Sequence, residues 1–167
     1  MSQGLPEMML QRRPRRRAGQ QPEQRLRRTR RETAAALSVV PLFAGFTKRD
    51  FNRLAEETDV VAFPPGATIV EEGLLGETMF VILSGEARVV QGKRRLGTVR
   101  PGDFFGEVAL LDGAPRSASV VAETPLEAIR LYRRTLFKLI EAEPQLALKI
   151  LDSLVRRVRD LTRSLDA

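Results

Sequence analysis

Phe104-Phe105-Gly106-Glu107-Val108-Ala109-Leu110-Leu111-Asp112-Gly113-Ala114-Pro115-Arg116-Ser117-Ala118-Ser119-Val120 is the stretch on which the reading of this chain turns. Two phenylalanines lead into Gly106, where the missing side chain lets the backbone approach a ligand closely. A short helix-like run follows, and its first amides form a ready anion site. After a Gly/Pro turn, Arg116 opens a strand and can add a planar, charge-assisted fork to the same anion. Glu107 is an acid beside an anion site, which makes sense if it accepts hydrogen bonds from neutral donors such as sugar hydroxyls. Together these residues suit one phosphate of low charge attached to a sugar. A bare Glu107–Arg116 ion pair across a turn is the other reading of the same residues. Asp112 near Glu107 makes a carboxylate pair, but hydrolysis would also need a distorted-substrate site or a metal cluster, and neither is in view.

Outward from this stretch the hydrophobic period is two. Thr58–Phe63, Thr68–Glu71, Thr78–Leu83, Glu86–Gln91, Arg95–Val99, Ser117–Ala122 and Leu126–Tyr132 read as strands. Pro64-Pro65-Gly66, Glu72-Gly73-Leu74-Leu75-Gly76, Ser84-Gly85, Gly92-Lys93 and Pro101-Gly102-Asp103 punctuate them. Short strands with such spacing predict a compact barrel, sandwich or jelly roll. Helical periods flank it. Thr47 is an N-cap for a helix over Lys48 to Glu57, and the apolar segment Val39–Phe46 ahead of it must dock on something. Arg133–Glu141 predicts one C-terminal helix, and Pro144 opens a second that runs to about Leu165. Ala147, Leu151, Leu154, Val158, Leu161 and Leu165 are spaced 4, 3, 4, 3, 4 along it, an a/d seam for a homodimer through 147–165 or for packing on the protein's own body. The expected class is α+β, a β-roll or jelly-roll barrel of about eight strands with an N-terminal helical segment and two C-terminal helices.

Composition removes most chemistry. The 167 residues contain no Cys and no His, so disulfides, thiolate metal sites, imidazole shuttles and Ser-His-Asp triads are out of reach. No catalytic residue, metal or cofactor is expected, and the chain reads as a binding protein. The net charge of +7 is unevenly spread. Residues 1–31 carry ten Arg against Glu7 and Glu23, giving +8, and the remainder comes to −1. The high pI therefore belongs to an arm. Residues 1–36 are expected to be that Arg-rich arm, largely disordered with a helix over 23–37, and 37–167 the folded domain. No segment reaches the ~20 apolar residues of a membrane span, and no secretory signal precedes Arg12, so a cytoplasmic location is expected.

Residues from about Val40 to Leu165 resemble the cyclic nucleotide-binding domain family. The family's phosphate-binding cassette runs roughly F-G-E-x-[AG]-L, a variable turn, then R-[STA]-A. This chain has Phe105-Gly106-Glu107-Val108-Ala109-Leu110, then Pro115-Arg116-Ser117-Ala118. Leu42-Phe43, Gly66, Glu72-Gly73, Gly76-Glu77, Gly85-Glu86 and Pro101-Gly102 match the flanking punctuation in order. The resemblance implies that Glu107 holds the ribose 2′-hydroxyl and that Arg116 pairs with the cyclic phosphate, helped by amides around Val108 and Ala109. It further implies that Ser117 contacts phosphate or base and that Ala118 completes the cassette floor. Thr in place of Ser117 accompanies cGMP preference in the family, so cAMP is the expected ligand, with cGMP second. Arg157, Arg159 and Thr162 are the candidate lid residues from the last helix. A P-loop is excluded, because the nearest match, Gly85 to Gly92-Lys93, has six residues between its glycines and Arg94 where Ser or Thr belongs.

The resemblance implies a conformational switch in which ligand draws in the cassette, an apolar latch around Leu110 and Leu111 shifts, and the C-terminal helices cover the base. The sequence ends at Ala167, directly after the long helix, so neither a helix-turn-helix output nor a catalytic segment is expected in it, and its effector is unknown. The arm over 12–31 could meet nucleic acid or an acidic membrane surface in a sequence-blind, salt-sensitive manner. The alternative function is a ligand-independent dimerising module that carries this basic arm.

Overall fold

The computed structural model describes residues 23–166, with side chains described to Arg163. Among these residues, nine strands make two antiparallel sheets, and five α-helices lie outside them. The first sheet has the order β1-β2-β9-β4-β7, formed by Gln24–Leu26, Asp59–Phe63, Leu126–Tyr132, Thr78–Ser84 and Phe104–Phe105. The second has the order β3-β8-β5-β6, formed by Thr68–Val70, Ser119–Ala122, Ala87–Gln91 and Arg94–Val99. The fold is the expected α+β jelly-roll, but its strands do not close into one barrel.

Alternation along the central strands explains the layering. In β4, Met79 and Val81 face the helical layer, whereas Phe80 and Ile82 enter the space between the sheets. Ile129 and Leu131 of β9 face the helices and Leu126 and Ala128 the second sheet. The first sheet is therefore covered on both faces, which accounts for its nearly continuous apolar runs. The adjacent phenylalanines divide in the same way: Phe104 joins the helix-side core and Phe105 the inter-sheet core, where it stacks on Phe80 at 5.5 Å between ring centroids.

Helices α1 (Arg30–Ser38), α2 (Lys48–Glu57), α4 (Arg133–Ala142) and α5 (Gln145–Asp166) lie against this helix-side core. Thr47 caps α2 as predicted, accepting from Asp50 N at 3.2 Å while Asp50 accepts from Thr47 N at 2.8 Å. Val40, Leu42 and Phe43, in and beside a 3-10 turn at Pro41–Phe43, bury the apolar segment that precedes it. The N-terminal region departs from expectation. The helix predicted over 23–37 starts only at Arg30, because Thr29 and Glu32 form a capping box that sets its first turn there. Residues 24–26 instead pair with β2 as an edge strand, in the register Gln24↔Ala62, Arg25↔Val61 and Leu26↔Val60. The disorder expected over 1–22 lies outside the described residues.

The a/d seam expected over 147–165 also changes phase. Leu146 and Ile150 are buried against the core and Leu154 packs beside them, while Leu148, Leu151, Val155, Val158 and Leu161 are exposed. The 4-3-4-3 spacing cuts across both faces of α5, and Leu165 lies beyond the described side chains.

Candidate functional site

Helix α3 (Glu107–Asp112) spans the first half of the quoted stretch. Gly106 precedes it with φ +90°, a left-handed conformation that carries the backbone from β7 into the helix without a side-chain penalty. Gly113 ends α3 in the same region of conformational space, and Asp112 accepts from Ala114 N at 2.8 Å to close the following turn. The fold thus delivers Glu107 inward and returns the chain so that Arg116 comes back beside Gly106.

Glu107 is completely buried. Its Oε1 accepts from Nη1 of Arg157 on α5, and its Oε2 is buried without a hydrogen-bond partner. Burial pushes the carboxyl above its ordinary range; the Arg157 charge, the Glu107 backbone amide and the Arg157 hydrogen bond pull it back only in part. Arg157 also donates from Nη2 to the Phe104 carbonyl at 2.7 Å, with its guanidinium 5.7 Å from the Phe104 ring centroid.

Arg116 is buried too, 8% exposed. Its Nη2 donates to the Thr78 carbonyl at 2.8 Å and to Thr78 Oγ1 at 3.2 Å, and its Nη1 reaches the Gly106 carbonyl at a long 3.5 Å. All these acceptors are neutral. Desolvation lowers its pKa with no carboxylate opposing. The backbone of Arg116 is fixed by the loop before β4: Gly73 N donates to the Arg116 carbonyl at 2.8 Å, and Arg116 N donates to the Leu74 carbonyl at 2.9 Å. The Glu107–Arg116 ion pair considered from sequence is not formed; each side chain has its own partners.

Phe105 and Ala109 are buried, Val108 is 39% exposed, Ala118 is half-buried and Ser117 is exposed, its carbonyl accepting from Gln91 Nε2 at 3.1 Å. Leu110 sits in the helix-side core, and Leu111 is 41% exposed. Of the three lid candidates, Arg157 alone is brought to the cassette. Arg159 is exposed, and Thr162 Oγ1 donates to the Val158 carbonyl within its own helix. Two contributors were not assigned roles from sequence. Thr78 read only as the start of a strand, and Gly76 only as turn punctuation, because their partner stands 38 and 40 positions away. No cluster of metal-ligating side chains occurs among the described residues.

Over residues 60–143 the chain matches the cyclic nucleotide-binding domain. It belongs to that family. The cAMP-dependent protein kinase regulatory subunit of Aspergillus fumigatus is 42% identical over 108 residues, covering 62% of this chain and 26% of that protein. This cyclic nucleotide-binding domain thus spans about a quarter of that relative's length. The Thermus thermophilus catabolite activator protein superposes with a TM-score of 0.67 at 33% identity, covering 75% of this chain and 62% of that one. A Trypanosoma cruzi regulatory subunit, described as that of a cAMP-independent protein kinase A bound to guanosine, shares the fold with a TM-score of 0.68 at 23% identity, covering 82% and 50%. No helix among the described residues is long and apolar enough to cross a membrane.

Proposed function

We propose that this domain binds cAMP, with Arg116 facing the cyclic phosphate, Glu107 Oε2 accepting the ribose 2′-hydroxyl and Arg157 acting as the lid. The observation that carries the reading is the Glu107 carboxylate, fully buried with one oxygen taken by α5 and the other unpartnered. A buried acceptor without a donor costs about 1–3 kcal/mol, a cost that a ligand hydroxyl removes. Arg116, nine residues along and turned back to Gly106, is a buried cation whose hydrogen bonds go only to neutral oxygens. One cyclic diester carries one negative charge and balances it. Gly106, Val108 and Ala109 supply backbone near that charge, Phe105 anchors the turn in the core, and Ser117 and Ala118 border the base.

The same carboxylate supplies a switch. Oε1 holds Arg157 and Oε2 is buried without a protein partner, so a ribose hydroxyl that reaches Oε2 acts on α5 through a single side chain. Ligand shifts α5 only by its differential affinity for the two arrangements. The family's kinase regulatory subunits make a protein kinase the first effector to test.

Calorimetric titration with cAMP, cGMP, adenosine and guanosine tests the reading. The expected order is cAMP ahead of cGMP, with both ahead of the nucleosides, which leave Arg116 without a counter-charge. Arg116→Ala is expected to weaken cAMP by about 10- to 150-fold, the worth of charge-assisted hydrogen bonds, and to leave adenosine unchanged. Nucleosides binding as tightly as cAMP would overturn the phosphate assignment. Silence with all four from folded protein would favour the ligand-independent module.

A further inference from the structure

We infer that Gly76 is a positioning residue for the phosphate arginine, an inference that rests on the cAMP reading above. A Cβ built on Gly76 would fall 2.3 Å from Arg116 Nη2, 2.6 Å from Cζ and 2.7 Å from Nε, so the guanidinium lies directly against the Gly76 backbone. No carbon can share that space. Gly106 bounds the same group from its other contact, since a Cβ there would meet Arg116 Nη1 at 2.9 Å and the Thr78 carbonyl at 3.0 Å. The guanidinium therefore occupies a slot between two glycines, oriented by the Thr78 carbonyl.

The slot is registered to its occupant. The loop that carries Gly76 is hydrogen-bonded to the backbone of Arg116 itself through Gly73 and Leu74, and Glu72 N donates to Ser119 Oγ at 2.9 Å. Pre-organisation of this kind spares the rotamer ordering that an arginine on an open surface must undergo when it binds an anion.

The two glycines differ in what a substitution would report. Gly106 has φ +90°, so any side chain there strains the backbone and mixes folding with binding. Gly76 lies outside the left-handed region, and the three nearest atoms in its way all belong to the far end of one flexible side chain. Gly76→Ala is thus met by moving Arg116 out of the slot, which leaves the fold and removes the phosphate contact.

The test compares wild type, Gly76→Ala, Arg116→Ala and the double variant in the full chain, by calorimetric titration with cAMP and with adenosine, alongside thermal unfolding. Gly76→Ala is expected to weaken cAMP about tenfold or more and to leave adenosine unchanged. Combined with Arg116→Ala it is expected to add nothing further, because Gly76 acts through that arginine. If Gly76→Ala alone does not fold, Arg116→Ala in the same chain is expected to restore folding by clearing the clash. Undiminished cAMP affinity in Gly76→Ala, losses that add to those of Arg116→Ala, or a double variant that stays unfolded would each overturn the inference. Wild type that binds no cAMP would instead overturn the reading beneath it.

Discussion

Glu107 works against the stability of its own domain. Its carboxyl is held above its ordinary 4.5 chiefly by burial, so folding shifts the balance towards the protonated form relative to the unfolded chain. With the folded value raised, the folded protein binds more protons than the unfolded chain between the two values. Stability from this group is therefore greatest below about 4.5 and falls as pH rises through the raised value. Glu107→Gln removes the ionisation and keeps the shape. The expected result is a variant more stable than wild type at pH 7, with the advantage vanishing by about pH 4, read as the difference in Tm across a pH series. Its cAMP affinity is expected to fall about tenfold, because a neutral amide oxygen accepts a ribose hydroxyl less strongly than a carboxylate. A stability penalty at pH 7 would mean that the Arg157 ion pair outweighs the burial.

Among the elements, the N-terminal strand is the one whose attachment rests most on charge. Arg130 of β9 pairs with Glu23 and, at 3.0 Å, with Asp59, which also meets Arg25 at 2.7 Å. Arg130 and Asp59 are 15% and 14% exposed, whereas Arg25 is 73% exposed. Removing Asp59 leaves a largely buried guanidinium half-compensated. Asp59→Ala is accordingly expected to cost about 1–3 kcal/mol in urea unfolding, and Arg25→Ala less than about 0.5 kcal/mol. Equal effects would place the attachment in the backbone pairing of β1 with β2 instead. None of this network was legible in the sequence, since Glu23, Asp59 and Arg130 are joined only by the sheet. Strands β2 to β6, β8 and β9 were legible, because Gly/Pro turns bound them and their apolar residues recur with a period of two. Strands β1 and β7, three and two residues long, carry too few positions to show a period. In the site, the cassette residues announced themselves by type and order. Gly76, Thr78 and the choice of Arg157 over Arg159 and Thr162 required the fold.

Across the whole molecule, α5 joins three surfaces. Its inward side holds the helix-side core through Leu146 and Ile150, and Lys149 donates to the Leu42 carbonyl at 3.3 Å and to that of Ala44, tying it to the segment before α2. Arg157 ties it to the cassette. Its outer stripe, Leu148, Leu151, Val155, Val158 and Leu161, is between 43% and 64% exposed over a helix of 22 residues, about 33 Å. Spacing of three and four along that stripe suits a coiled-coil partner, and a second copy of this chain is the partner expected. If cAMP acts on α5 through Glu107 while a second copy grips the opposite face, ligand and self-association must be thermodynamically linked. Sedimentation of wild type is then expected to give dimers whose dissociation constant shifts on adding cAMP. A Leu151→Glu, Val158→Glu double variant is expected to remain monomeric and to keep its Tm, because both side chains are already in water. Its cAMP affinity should be independent of protein concentration, whereas that of wild type should change across the dimer transition. Dimers unaffected by cAMP would separate the two faces of α5 and leave the Glu107–Arg157 pair as a local lid.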